Sequence, residues 1–294
     1  MHESSHLCAP LRQRLDAFGL ELDRVDAGDV EALHRTRVAS RRLRELLPLL
    51  ALDHDVSRTL GCRLRKVTRL LGAVRELDVL LILVAELAED RRFSADALRP
   101  IGAAAAKARV SARARLSARF PAVKLKRLAH ELERASKGHA NGAGRAGLWA
   151  LEARLVHRAA RVQEAIETAG TVYAPEPLHR VRIAVKKLRY TAELAGDATR
   201  RHVAADVAAL KTAQDLLGRL HDLGVLLVRA REAQARLFPP DLIAWRDLSS
   251  LVDLVEDDCR RLHARYMRNR TELTAIANRV AAAPRAQPVR RRAV

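Results

Sequence analysis

Two unlike segments of this chain each occur twice, in the same order and at nearly the same distance. That limits the fold more than any other feature of the sequence. Leu33 to Arg44 reappears as Leu178 to Arg189, 145 positions later, with seven of twelve residues identical and three more exchanging Val for Ile or Arg for Lys. Leu70 to Leu80 resembles Leu216 to Leu226, 146 positions later, with six of eleven identical, including Gly72 and Gly218. Such a pattern points to a duplicated unit of about 130 to 140 residues, too long for a solenoid repeat. The expected organisation is one region over 7–280 made of two repeated halves, 7–135 and 148–280. Between them Ser136 to Gly147 holds four glycines and reads as a flexible connection, and residues 281–294 read as a basic, disordered tail.

Ala, Leu, Arg and Glu dominate the composition, all good helix formers, and aromatics are only 3%, so an all-α fold is expected. Each half reads as about four helices. In the first half they cover about Leu7–Leu22, Val30–Leu52, Val56–Ala88 with a break near Gly72, and Ala95–Ser136. In the second they cover about Leu148–Thr171, Pro177–Leu194, His202–Leu237 and Asp241–Ala282. Asp29 is placed to cap the second helix, and Pro177 falls in a first turn, where proline is tolerated.

Charge bears on partners rather than fold. With 54 basic against 35 acidic residues the formal net charge is +19, which suits nucleic acid, an anionic membrane or condensed phosphate. Cys8, Cys62 and Cys259 are far apart and in no metal-ligand spacing, so they read as free thiols in a reducing compartment. Met1 to Leu20 lacks the apolar run of a signal peptide, and the apolar stretch Val79 to Ala85 is too short to cross a bilayer. The expectation is a cytoplasmic protein with no membrane partner.

On a helix at about 100° per residue, His34, Arg37, Arg41 and Arg44 fall within an arc of roughly 80°, with Ala39, Leu43 and Leu46 opposite. His179, Arg182, Lys186 and Arg189 repeat the arrangement against Ala184 and Leu188. Arg42 and Lys187 add a further cation to each block, and neither block contains an acid. A solvated helix face intersperses acids to form i,i+4 pairs, whereas these faces suit a row of phosphates. Arginine offers forked donors to phosphate oxygens and lysine a mobile point charge. The two histidines are expected to gain charge beside phosphate and to strengthen binding as pH falls through about 6.5.

The second repeated element is expected to face the first. Arg65 and Arg69 lie one turn apart, and Gly72 continues their face and permits close approach. Their counterparts are Lys211, Asp215 and Gly218, so Arg65, Arg69 and Lys211 join the candidate site, Arg69 without a basic counterpart. Arg75 and its counterpart His221 could both reach the same place.

Other motifs carry less. His2-Glu3-Ser4-Ser5-His6 matches a zinc-protease string, but that chemistry needs a rigid helix, a third ligand and a dry pocket. His221-Asp222 hints at a metal-dependent phosphohydrolase, yet its repeat partner is Arg75-Glu76. There is no Gly-rich loop followed by Lys-Ser/Thr. No metal site, cofactor or catalytic residue is expected, because a catalytic His would need a positioned acid or base partner.

The doubled pattern His-x-x-Arg-x-x-x-Arg/Lys-Arg/Lys-x-Arg, each copy followed by a Leu-Gly element, resembles the CHAD domain (conserved histidine α-helical domain) over about residues 7 to 280. The resemblance implies two helical bundles related by pseudo-twofold symmetry. It also implies a basic channel for inorganic polyphosphate and association with polyphosphate granules. The family's histidines and basic residues map onto His34, Arg37, Arg41, Arg44, His179, Arg182, Lys186 and Arg189. Relatives with an attached triphosphatase-type domain carry a Glu-x-Glu-x-Lys motif that this sequence lacks. The expected function is therefore non-catalytic polyphosphate binding. The rival is non-specific binding of double-stranded nucleic acid, an attraction expected at low salt in any case. Scarce aromatics argue against single strands.

Overall fold

A computed structural model describes residues 7–50, 52–137, 144–199, 203–237 and 241–282. Among them there are helices and no strands. In chain order these are α1 (Cys8–Gly19), α2 (Leu22–Asp26), α3 (Val30–Leu46, closing in a 3-10 turn at Leu47–Leu49), α4 (His54–Glu89) and α5 (Ala95–Arg119). Then follow α6 (Ala122–Lys137), α7 (Gly144–Ala169), α8 (Pro175–Thr199), α9 (Ala204–Ala235) and α10 (Leu242–Ala282). No helix among the described residues is long and apolar enough to cross a membrane.

The all-α expectation holds, and local chemistry explains where the first half departs from four helices. Gly28, at φ 95°, turns the chain between α2 and α3. Asp29 caps α3 as expected, its carboxylate accepting from the Glu31 and Ala32 amides at 2.9 and 2.8 Å. Pro48 tightens the end of α3 into the 3-10 turn. The single helix expected over 95–136 is two, because Pro121 lacks an amide hydrogen and pushes Phe120 out of helical geometry (φ −136°, ψ 67°). The break expected near Gly72 does not occur, and α4 runs through it unbroken. A glycine costs only about 1 kcal/mol in a helix interior, and this one is buried against α3.

The connection between halves is shorter than 136–147, since α6 reaches Lys137 and α7 starts at Gly144; residues 138–143 lie outside the described residues. Ala281 and Ala282 still belong to α10, and residues 283–294 of the expected tail, like the zinc-protease string at residues 2–6, also lie outside them.

Two apolar cores lie along the long helices. The larger takes α4 as far as Val74 and α9 as far as Leu220, with α1, α3, α7 and α8. The smaller begins at Leu80 on α4 and Leu223 on α9 and includes the near ends of α5 and α10. Between them, on the same two helices, sit Arg75, Glu76, Asp78, His221 and Asp222. A polar layer is thus interposed where α4 and α9 pass each other. α3 also touches α8, which brings the two basic blocks together.

Candidate anion-binding site

The apolar side of each block anchors it. Leu33, Ala39, Leu43 and Leu46 are buried on α3, as are Leu178, Ala184 and Leu188 on α8. The block positions that change most between copies are buried too: Thr36 and Ser40 in one, Val181 and Val185 in the other. Ser40 Oγ lies 3.0 Å from Thr68 Oγ1 and donates to the Arg37 carbonyl at 2.8 Å, which registers α3 on α4. These positions serve packing, and the shared positions between them carry the charge.

That packing sets two arginines over two glycines. A Cβ on Gly72 would lie 3.5 Å from Arg37 Nε, and one on Gly218 would lie 3.7 Å from Arg182 Nε. The close approach expected at these glycines is therefore made by a guanidinium. Among the described residues neither buried Nε has a hydrogen-bond partner, so each guanidinium keeps donor capacity unspent.

Arg37 and Arg41 from α3 meet Arg182 and Lys186 from α8 within mutual electrostatic reach. Burial and then Arg41 push Arg37 down to about 10, still charged at neutral pH. Burial, then Arg41, Arg182 and Arg37, push Lys186 down to about 7. Arg182 is lowered by burial, with Asp222 opposing and Arg41 adding to the shift. Among the described residues none of these four makes an ion pair. Four cations half-removed from water and facing one another are costly alone, and an anion between them relieves that cost.

The histidines lie at the polar layer. His34 Nδ1 is buried without a partner among the described residues, and burial, then Arg75, lowers its pKa. His179 Nδ1 is 3.1 Å from His221 Nδ1, with ring centroids 4.4 Å apart. One ring must donate and the other accept, so the pair as placed shares one hydrogen and cannot be doubly protonated. Burial, then Arg182, holds His221 at about 4, and His179 is lowered by burial and then Arg182. Asp222 is raised by burial against the pull of Arg182, Arg219 and Arg75. His221, which the repeat puts within reach of the site, and Asp222 thus flank the cluster.

The remaining candidates scatter. Glu193 accepts from Arg42 at 3.0 Å and also pairs with Arg189, which donates to Gln214 Oε1 at 3.1 Å. This carboxylate, four residues beyond the second block, makes Arg42 and Arg189 a tie between α3 and α8. Arg44, lowered by burial, sits near Arg65 and Arg41. Lys187, lowered by burial and then Arg158, faces the group where Arg154 and Arg158 pair with Glu45. Arg69 points instead to a separate basic niche, and Lys211 is exposed on α9. The cavity of about 580 Å³ beside α1 touches His34 and Arg42 but is walled by Glu21, Glu31, Glu193 and Asp197, so it suits no polyanion. No group of three or more metal-ligating side chains occurs among the described residues.

Fold and crevice together define an all-α protein whose two His/Arg/Lys helices meet across a cationic face. The chain belongs to the CHAD domain family, whose model matches residues 9–231. It is similar to the crystal structure of the CHAD domain from the plant Ricinus communis, at TM-score 0.59 and 24% identity, covering 97% of this chain and 95% of that one. It is also similar to PptA from Streptomyces chartreusis, at TM-score 0.54 and 19% identity, covering 92% and 94%. No curated protein matches it.

Proposed function

We propose that this chain binds inorganic polyphosphate, without turning it over, in the crevice between α3 and α8. The observation that carries the reading is the meeting of Arg37, Arg41, Arg182 and Lys186 with no ion-paired carboxylate among them. The three arginines donate to phosphate oxygens, and Lys186 neutralises charge as a mobile ammonium. A bound phosphate raises Lys186 from about 7 and returns it to full charge. The histidines, depressed in the free crevice, gain protons on binding in mildly acidic solution. No cofactor or metal takes part. Membership of the CHAD family and the cationic face support this reading, and with it a place at cytoplasmic polyphosphate granules.

The test is a competition at physiological salt. Long-chain polyphosphate bound to the wild type is challenged with duplex DNA at equal phosphate concentration, beside a variant carrying Arg37→Ala, Arg41→Ala, Arg182→Ala and Lys186→Ala. Polyphosphate is expected to resist DNA, and the variant to lose at least about a thousandfold in affinity, since charged hydrogen bonds contribute about 1.5 to 3 kcal/mol each. Free displacement by DNA, or a variant that binds as before, rejects the proposal.

A further inference from the structure

Arg69 lands outside the crevice, in a second basic niche. A niche of about 380 Å³ is lined by Lys66 and Arg69 of α4, Arg119 at the end of α5, Phe120, and Lys124 in the first turn of α6. No acidic residue lines it, and none of its four cations makes an ion pair among the described residues. Two turns further along α6, Glu131 is held by Arg63 and Arg127. All four cations are exposed, so their density reflects neither packing nor a buried ion pair.

Helix geometry adds to the charge. The break at Phe120–Pro121 starts α6 at the niche, and the first turn of α6 carries no acid but does carry Lys124. A cation on the positive end of a helix is unfavourable, and an anion there is favoured both by the dipole and by unpaired amides. The arrangement makes electrostatic sense when an anion occupies it.

The niche also connects to the crevice. Arg41 lies within reach of Arg44, and Arg44 within reach of Arg65. From Arg65 one further turn of α4, about 6 Å, leads to Arg69. The second half has no equivalent, because the repeat partners of Lys66 and Arg69 are Thr212 and Asp215. We infer that the niche is a second subsite that takes the continuation of a linear polyphosphate strand leaving the crevice by way of Arg44 and Arg65. The inference rests on the crevice reading, and it adds a preference for long chains and an exit on the first-half side only.

The experiment compares wild type, an outer variant (Lys66→Ser, Arg69→Ser, Arg119→Ser, Lys124→Ser) and the crevice variant, each titrated with tripolyphosphate, long-chain polyphosphate and duplex DNA across a salt series. The outer variant is expected to bind tripolyphosphate as wild type does and to bind long chains about tenfold more weakly. Its salt dependence for long chains should be shallower, because fewer counterions are displaced. The crevice variant is expected to lose both ligands. Long-chain affinity and salt slope unchanged in the outer variant overturn the subsite and leave the crevice reading standing. An equal loss toward DNA also overturns it, since the niche is then a general basic patch. If the crevice variant keeps long chains while the outer variant loses them, the crevice reading fails, and with it the inference built on it.

Discussion

The two sides of the crevice use the same positions with different chemistry. On the α3 side the cations are Arg37 and Arg41, with Arg75 beyond His34. At the repeat-equivalent places the α8 side has Arg182, Lys186 and His221. Arginine stays charged throughout the physiological range. Lys186 at about 7 and His221 at about 4 do not. The α3 side offers two arginines where the α8 side offers an arginine and a lysine. Burial, then Arg41, Arg182 and Arg37 from both helices, is what brings Lys186 into the neutral range.

The largest expected consequence is in pH. A group whose pKa rises on binding contributes fully below its free value, and that contribution is lost as pH climbs from there through the higher, bound value. Lys186 has that sign, so polyphosphate affinity should fall above pH 7, by at most about tenfold per pH unit. His34 and His179 add a separate rise below their ordinary range. Lys186→Arg should flatten the alkaline limb and leave the acidic one. Titrations from mildly acidic to mildly alkaline buffer read both, and an unchanged alkaline limb in Lys186→Arg removes the asymmetry.

A smaller effect tests what the sides share. Gly72→Leu and Gly218→Leu would each crowd an arginine whose Nε lies 3.5 or 3.7 Å from the new Cβ. Each should weaken polyphosphate binding about tenfold, the equivalent of about 1.4 kcal/mol, with little change in helix content. A loss in one variant only would show that one arginine alone is held this way.

Much of this was legible in the sequence. The helix-forming composition pointed to the all-α fold, and the doubled block pointed to the cations that meet. Pro121 was a visible signal for the α5–α6 break, overridden by the apolar pattern around it. Glu193 was also visible, one turn after Arg189, but lay just outside the repeat that drew attention to the block. The place of Arg69 was not legible. It depends on Arg119 and Lys124, some 50 positions away, folding back across α4. Nor was the His179–His221 contact, because the repeat pairs His221 with an arginine and hides its role. Local chemistry shows in a single helix, whereas what faces that helix is decided by tertiary packing.

The most direct measurement is a double-mutant cycle across the crevice, with polyphosphate affinity as the readout. One arm removes Arg37 and Arg41, the other Arg182 and Lys186, and both are compared with the quadruple variant. A strand held between α3 and α8 predicts that each arm alone loses most of what the quadruple loses, with a coupling of about 1 kcal/mol or more. Losses that simply add, or one arm without effect, would mean that the helices bind independently and that the crevice is not the site.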